Sequence, residues 1–292
     1  MSAETGRAIV LGGKTGLLGQ PLAEALAQAG FTVWATTRSE LDPCDRAAVA
    51  KGLADFGASH LFNTVAYTAV DKAEDEPEAA YKLNRDLPLL LGQACGEANV
   101  AFVHYSTDFV FDGTKKAPYT EEDATNPQSV YGASKLAGEQ AVLALGLPKV
   151  QILRTAWLYG PGKKNFVATI LHLAQKRDVL RVVHDQIGSP TYSLDLAGWS
   201  ADLARTEATG IFHAAGSGEA SWCELATEAV IAAALPCRVV PITSAEYPQK
   251  ATRPLYSVLD TDKLARTIGR EPRPWIQCVR EYVYALSPSS AD

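Results

Sequence analysis

Tyr131 and Lys135 stand in a Y-x-x-x-K pattern, and Thr107 lies upstream of them. On a helix, an i, i+4 pair puts both side chains on one face. Such a set suits reduction of a ketone, which gains hydride at carbon and a proton at oxygen. A phenol can supply the proton, but its ordinary pKa of about 10 makes it a poor acid–base group at neutral pH. A neighbouring ammonium favours the phenolate and is expected to lower that pKa. The lysine can also hold the ribose of a nicotinamide. A hydroxyl is needed to orient the carbonyl. Thr107, with Ser106 beside it, closes a predicted strand, at the carboxyl edge where open α/β sheets place ligands. We therefore read Thr107, Tyr131 and Lys135 as catalytic.

A second motif strengthens that reading. Gly13, Gly16 and Gly19 form G-x-x-G-x-x-G directly after the apolar run at 8–11 and at the opening of a helical pattern. Glycines allow a tight turn and let a pyrophosphate approach backbone N–H groups at a helix amino end. The motif alone is weak, but here strand, turn and helix come in the required order. After the second strand, where an acidic residue commonly binds ribose hydroxyls, the chain carries Thr36, Thr37 and Arg38. An arginine there accepts a 2′-phosphate, so NADPH is the expected cofactor. Asp42, a few residues on, leaves NADH open.

These residues need a scaffold. Apolar and β-branched runs predict strands at 8–11, 31–36, 61–66, 102–106 and 150–153. Helical periodicity falls at 21–29, 47–56, 78–98 and 134–145. Strands alternating with helices at this pitch imply βαβ units and a parallel, doubly wound sheet of dinucleotide-binding type. Beyond about residue 155 the alternation weakens: helices are expected at 166–176 and 194–205 and one more strand at 211–215, and prolines punctuate the rest. The expectation is an α/β protein with a Rossmann-type domain over 1–155. A smaller, interleaved substrate lobe would follow over 156–292, with some elements returning to the sheet.

Composition narrows the partners. The 292 residues carry a net charge of -6 and no basic cluster, which argues against nucleic acid. The five cysteines are odd in number and show no C-x-x-C spacing, so neither a disulfide framework nor a zinc site is expected. His104 alternates with apolar strand neighbours and reads as structural. Neither a signal peptide nor a membrane span is apparent, so a cytoplasmic protein is expected.

The glycine spacing and the Y-x-x-x-K pair resemble those of extended short-chain dehydrogenases. Within them, several stretches resemble the dTDP-4-dehydrorhamnose reductases. These include Thr68-Ala-Val-Asp-Lys-Ala-Glu74, His104-Tyr-Ser-Thr-Asp-Phe-Val-Phe111, Arg154-Thr-Ala-Trp157, Asp185-Gln-Ile-Gly-Ser-Pro-Thr191 and Arg253-Pro254, in that family's order. The resemblance implies reduction of the C4 ketone of a dTDP-4-keto-6-deoxyhexose, with Tyr131 as proton donor, Lys135 its partner and Thr107 on the carbonyl. Gly16, Leu17 and Leu18 would cover the pyrophosphate, Gly13 and Thr15 would also bind the cofactor, and Asp42 and Pro43 would lie near the adenosine. Ala66, Tyr67 and Thr68 would line the cofactor. Asp108 and Trp157 would touch the hexose, and Asn165 and Gln186 the nucleotide part of the substrate, with helix capping the other reading for Asn165. Phe109 replaces a tyrosine common in the family, which bears on the choice of sugar. Some members use a divalent metal at a dimer interface; no ligand cluster is readable here and none is expected, while a homodimer is admitted. Two rivals stand beside this reading: a 4-keto reductase for another nucleotide 6-deoxysugar, and a regulatory subunit like that of methionine adenosyltransferase.

Overall fold

A computed structural model describes residues 6–286. The chain runs through β1 (Gly6–Leu11), α1 (Gly19–Gln28), β2 (Phe31–Thr36), α2 (Arg46–Phe56) and β3 (His60–Asn63). Two short helices, α3 (Val70–Ala73) and α4 (Pro77–Tyr81), lead through a π-helical turn at Lys82–Asp86 into α5 (Leu87–Ala98). Then come β4 (Ala101–Thr107), a 3-10 turn at Asp108–Val110, α6 (Val130–Leu143) and β5 (Val150–Thr155). Beyond lie β6 (Leu158–Tyr159), α7 (Phe166–Ala174), β7 (Val179–Val183), β8 (Ile187–Gly188), β9 (Thr191–Tyr192), α8 (Ser193–Leu203) and β10 (Gly210–His213). The last elements are β11 (Ala220–Ser221), α9 (Trp222–Ala232), β12 (Arg238–Ile242), α10 (Asp262–Ile268) and α11 (Trp275–Leu286).

Six strands form one parallel sheet in the order β10-β5-β4-β3-β1-β2. Successive side chains leave a strand on opposite faces. In β1, Ala8 and Val10 join one core with Leu22 and Leu26 of α1 and Leu196 and Trp199 of α8. Ile9 and Leu11 join the other, with Val49 and Leu53 of α2 and Leu87 and Leu91 of α5. A strand buried on both faces must be apolar throughout, which explains the unbroken run at 8–11. Full burial of each such large aliphatic side chain favours folding by about 1.5–3 kcal/mol. The carboxyl ends of β1, β3, β4 and β5 therefore open on one edge, above a rigid base.

The chain after β5 does two things. β10 pairs beside β5 and α8 packs on α1, so this part of the sequence completes the sheet layers. The remainder builds smaller cores of its own, where α7, α9 and α11 meet around Val167, Leu225 and Val279, and where β7 pairs with β12 in parallel. The doubly wound sheet with an interleaved smaller lobe is as the sequence predicts.

Local departures have physical causes. The helix expected over 78–98 is broken by the π-helical turn, because Pro88 has no N–H for the Asn84 carbonyl. Gly138 of α6 packs there so closely that a Cβ would stand 2.0 Å from that oxygen. β3 ends at Asn63, not 66: the Asn63 side chain accepts from Val65 N at 3.1 Å, and Thr64 Oγ1 donates to the Leu11 carbonyl at 2.6 Å. α6 starts four residues earlier than periodicity suggests, at Val130, because Ser129 caps it.

Candidate active site

The glycine turn is shaped as a cradle. Gly12 has φ +76°, and Gly13 N and Gly16 N both turn back to donate to carbonyls of the turn itself or of β1. A Cβ on Gly13 would lie 2.8 Å from the Ala35 side chain, and one on Gly19 would lie 2.4 Å from the Gly12 carbonyl. The first leaves no room beside β2; the second fixes how closely α1 approaches the turn. No side chain caps α1, so its amino end, with its partial positive charge, is left for an anion. The residues present fit a dinucleotide pyrophosphate. Past β2, Arg38 is 80% exposed and sits 3.7 Å from the Asp42 carboxylate. A solvent-exposed pair at that distance holds weakly, so the guanidinium is free to meet a phosphate. Asp42 also accepts from Cys44 N at 3.0 Å, shaping the turn that contains buried Pro43. Lys14 of the glycine turn pairs with Glu40, whose carboxyl is held down at about 2, first by that lysine and then by Thr37.

Sequence reasoning did not single out Asn84, which fixes the loop after β3. It is fully buried. Its Oδ1 accepts from Tyr67 N at 2.9 Å, and its Nδ2 donates to the Tyr67 carbonyl at 3.0 Å and to Ser134 Oγ at 2.9 Å. One side chain thus locks Ala66, Tyr67 and Thr68 to the helix that carries Tyr131 and Lys135. The same loop explains the Thr68–Glu74 stretch. Glu74 accepts from Val130 N at 2.9 Å at the start of α6. Asp71 receives a two-pronged hydrogen bond from Arg253 at 2.9 and 2.8 Å.

Tyr131 lies in the first turn of α6, its ring edge-on to Phe109 at 5.5 Å. Thr107, at the end of β4, lies close enough to the phenol to favour its ionised form. Burial nevertheless pushes the phenol up to about 12, against the lowering by Thr107 and helped by the nearby Asp108 charge. Lys135, one turn further on, is 2% exposed and donates to the Tyr105 carbonyl. Burial lowers it to about 8, while Glu139 pulls the other way. The expectation that the lysine lowers the tyrosine's pKa is thus corrected: desolvation dominates both groups, and the ammonium is turned onto the strand. Below Lys135, Arg154 of β5 grips Glu139 through three buried hydrogen bonds of 3.0, 3.2 and 2.7 Å. That pair anchors α6 to the sheet.

Of the residues expected at the substrate, Trp157 stands just past β5, whose Thr155 is in register with Thr107. Its backbone has φ +48°, a conformation uncommon for a bulky residue. Asp108 is not presented to a ligand. It is 1% exposed, with Thr107 Oγ1 donating to Oδ1 at 3.0 Å and Ser257 Oγ to Oδ2 at 2.6 Å. Burial raises its carboxyl to about 6, so its observed place is behind Thr107. Asn165 is also engaged inside the protein: it caps α7 by accepting from Ala168 N at 3.0 Å and donates to the Gly160 carbonyl at 2.7 Å and to Tyr282 at 3.0 Å. Gln186, 5% exposed, accepts from the Trp222 indole at 3.1 Å and donates to Ser244 at 2.9 Å. The structure brings neither amide into the cleft. Nothing in the local sequence marks Ser257 or Trp222, whose partners lie far away in the chain. His104 is buried against Asn63 at 3.2 Å, as a structural residue.

A parallel six-stranded sheet, a glycine cradle at its first turn and a Thr–Tyr–Lys set at its carboxyl edge define an oxidoreductase of the Rossmann-type, extended short-chain class. The chain belongs to the RmlD substrate binding domain family, whose model matches residues 7–287. It is 41% identical over 281 residues to a dTDP-4-dehydrorhamnose reductase of Streptomyces griseus, covering 94% of this chain and 92% of that one. Among solved structures, a dTDP-4-dehydrorhamnose reductase from Clostridium acetobutylicum superposes with TM-score 0.91 at 39% identity, over 96% of this chain and 99% of that one. One from Bacillus anthracis, in complex with NADP, gives TM-score 0.90 at 33% identity over the same shares.

Proposed function

We propose that this protein reduces the C4 ketone of dTDP-4-dehydro-L-rhamnose to dTDP-L-rhamnose with NADPH, in the cytoplasm. The observation that carries the reading is the meeting of Thr107 and the Tyr131 phenol at the carboxyl end of β4, with Lys135 one helical turn behind. The names and the NADP complex of the relatives support the substrate and the cofactor.

Gly13, Gly16 and the amino end of α1 would hold the pyrophosphate, with Thr15, Leu17 and Leu18 closing over it. Arg38 would take the 2′-phosphate beside Asp42 and Pro43. Ala66, Tyr67 and Thr68 would flank the nicotinamide half. When bound there, the dihydronicotinamide supplies the hydride. Tyr131 delivers a proton to the ketone oxygen, and Thr107 fixes that oxygen once its hydroxyl hydrogen turns from Asp108 to the ketone. Lys135, one helical turn behind, would hold the nicotinamide ribose. Since the phenol holds its proton up to about pH 12, the acid form is present at every physiological pH. Asp108 acts from behind by aiming Thr107, and Trp157 lines the sugar side. The segment 156–292 supplies most of the substrate lobe, and the two parts of the chain share the site.

The test is loss of reduced-nicotinamide absorbance with dTDP-4-keto-L-rhamnose, NADPH or NADH, and Tyr131→Phe in parallel. Rapid oxidation with NADPH, lost by at least about a thousandfold in the variant with NADPH binding intact, is the expected result, in line with or beyond what a single acid–base group contributes. NADPH binding without oxidation would overturn the substrate assignment. Turnover of a different 4-keto nucleotide sugar would then favour the neighbouring reductase activity.

A further inference from the structure

Trp157 and Trp222 face each other with ring centroids 3.5 Å apart and planes 5° from parallel. Packing alone does not favour this arrangement. The quadrupoles of two aromatic rings repel in a full face-to-face sandwich, and ordinary pairs sit offset or edge-to-face with centroids about 4.5–7 Å apart. The backbone at Trp157 is also in the left-handed region, at φ +48°, a conformation that costs on the order of 1–3 kcal/mol and persists only where the surroundings over-determine it. Three features impose it. At Gly188 a Cβ would lie 2.6 Å from the Trp157 indole, so only glycine admits the ring there. Phe166 leans on Trp222 at 4.6 Å. The Trp222 indole N–H is tied to Gln186 Oε1 at 3.1 Å, and Gln186 is itself held by Ser244.

Both indoles remain only half-buried, so a built, strained stack ends at solvent. It does so two residues past the end of β5, on the edge where Thr107 and Tyr131 meet. We propose that Trp222 is a positioning residue for the sugar: it clamps the Trp157 indole against Gly188, so that the ring edge bounds the hexose pocket, and so sets substrate affinity without touching the reacting atoms. The inference rests on the reading of the site as a sugar-nucleotide reductase centre and adds to it a residue that makes no contact with Tyr131 or Lys135 in the structure. With its faces covered by Trp222 and by Gly188, the indole presents its edge, which selects for ring shape more than for any one hydroxyl.

The experiment compares wild type with Trp222→Ala and Trp222→Phe. Stacked indoles couple excitonically, so wild type should show a far-ultraviolet circular dichroism couplet that both variants lose. Its absence from wild type would overturn the stack itself. Steady-state kinetics should then show KM for the ketosugar raised about tenfold in Trp222→Ala, kcat and KM for NADPH within about twofold of wild type, and a partial return in Trp222→Phe. A tenfold change corresponds to about 1.4 kcal/mol. Unchanged sugar KM in a folded Trp222→Ala protein overturns the proposal, and so does an equal fall in kcat, which would place Trp222 in the chemistry. If wild type proves not to oxidise NADPH with this ketosugar, the functional reading has failed. Fluorescence titration with dTDP-glucose then decides the present inference separately, since weaker binding by Trp222→Ala supports it and equal binding overturns it.

Discussion

Burial governs the titrating residues of the site. Lys135 sits at about 8 because its ammonium has lost its water and Glu139 restores only part of the loss. Its charge is present below that pH and disappears above it. If that charge helps to hold the cofactor, kcat/KM for the reduction should hold steady through neutral pH and fall tenfold per unit once pH passes about 8; a flat profile to pH 10 would oppose the role. Asp108 gives a second pH effect, on stability. Its carboxyl is raised to about 6 from 3.8, so between those values the folded state binds the proton that the unfolded state has released. Stability contributed by this group is therefore greatest at low pH and declines as pH rises from about 4 to 6, by about 3 kcal/mol at most. Urea denaturation of Asp108→Asn should lack that part of the pH dependence. In the proposed reading Arg38 serves the other end of the cofactor. Removing it with Arg38→Ala should raise KM for NADPH by about ten- to a hundredfold, the value of a hydrogen bond to a charged group, and leave KM for NADH almost unmoved.

At the scale of elements, α6 is the part that must not shift, since it carries both Tyr131 and Lys135. Ser129 caps it, Glu74 accepts from its first amide, and the buried Arg154–Glu139 pair joins it to β5. Glu139→Ala would strand the Arg154 guanidinium in the interior, at a cost of about 3–5 kcal/mol, visible as a large fall in melting temperature. Arg154→Met with Glu139→Leu should recover much of that loss, since a paired burial contributes little beyond apolar packing. This helix was legible from Y-x-x-x-K, although its capped first turn was not, because serine at a cap carries no periodicity. The sheet strands were legible because burial on both faces leaves continuous apolar runs. The second half of the chain was harder. β7 and β12 pair with each other across a long stretch of chain, so no local pattern announces the partnership. α11 carries a signal, with Trp275, Cys278, Val279, Tyr282 and Val283 spaced for one helical face, but the prolines just before it mark the segment as turn-rich. The residues proposed as catalytic stood out because their chemistry dictates type and spacing. Asn84, Trp222 and Ser257 were not, since each works through a side chain brought near only by the fold.

On the scale of the whole molecule, the question is how the lobe built after β5 stays in register with the sheet. β10 and α8 bind it from one side. On the other, Asp71 in the loop beyond β3 holds Arg253 with paired hydrogen bonds and also accepts from Ala251 N at 3.0 Å. The arginine is mostly buried, and the pairing, first by direct hydrogen bonding, keeps the Asp71 carboxyl down at about 2. The segment that follows Arg253 does three things in sequence. Tyr256 bridges to Ile187, beside Gly188 and the Trp157 indole. Ser257 holds Asp108 behind Thr107, and Leu259 bridges to Tyr119. The Asp71–Arg253 tether thus couples the loop after β3 to the segment that supports both the Trp157 indole and Thr107. Asp71→Ala should therefore act mainly on the sugar side. KM for the ketosugar should rise about tenfold, NADPH affinity should change less than threefold, and amide hydrogen exchange should accelerate over 251–259 while β1 and β4 stay protected. The carboxylate is paired throughout the neutral range, so the wild-type tether should hold down to about pH 3 and weaken only as Asp71 takes up its proton near pH 2. If exchange in 251–259 were unchanged in the variant, the returning β10 and α8 alone would be holding the lobe in place.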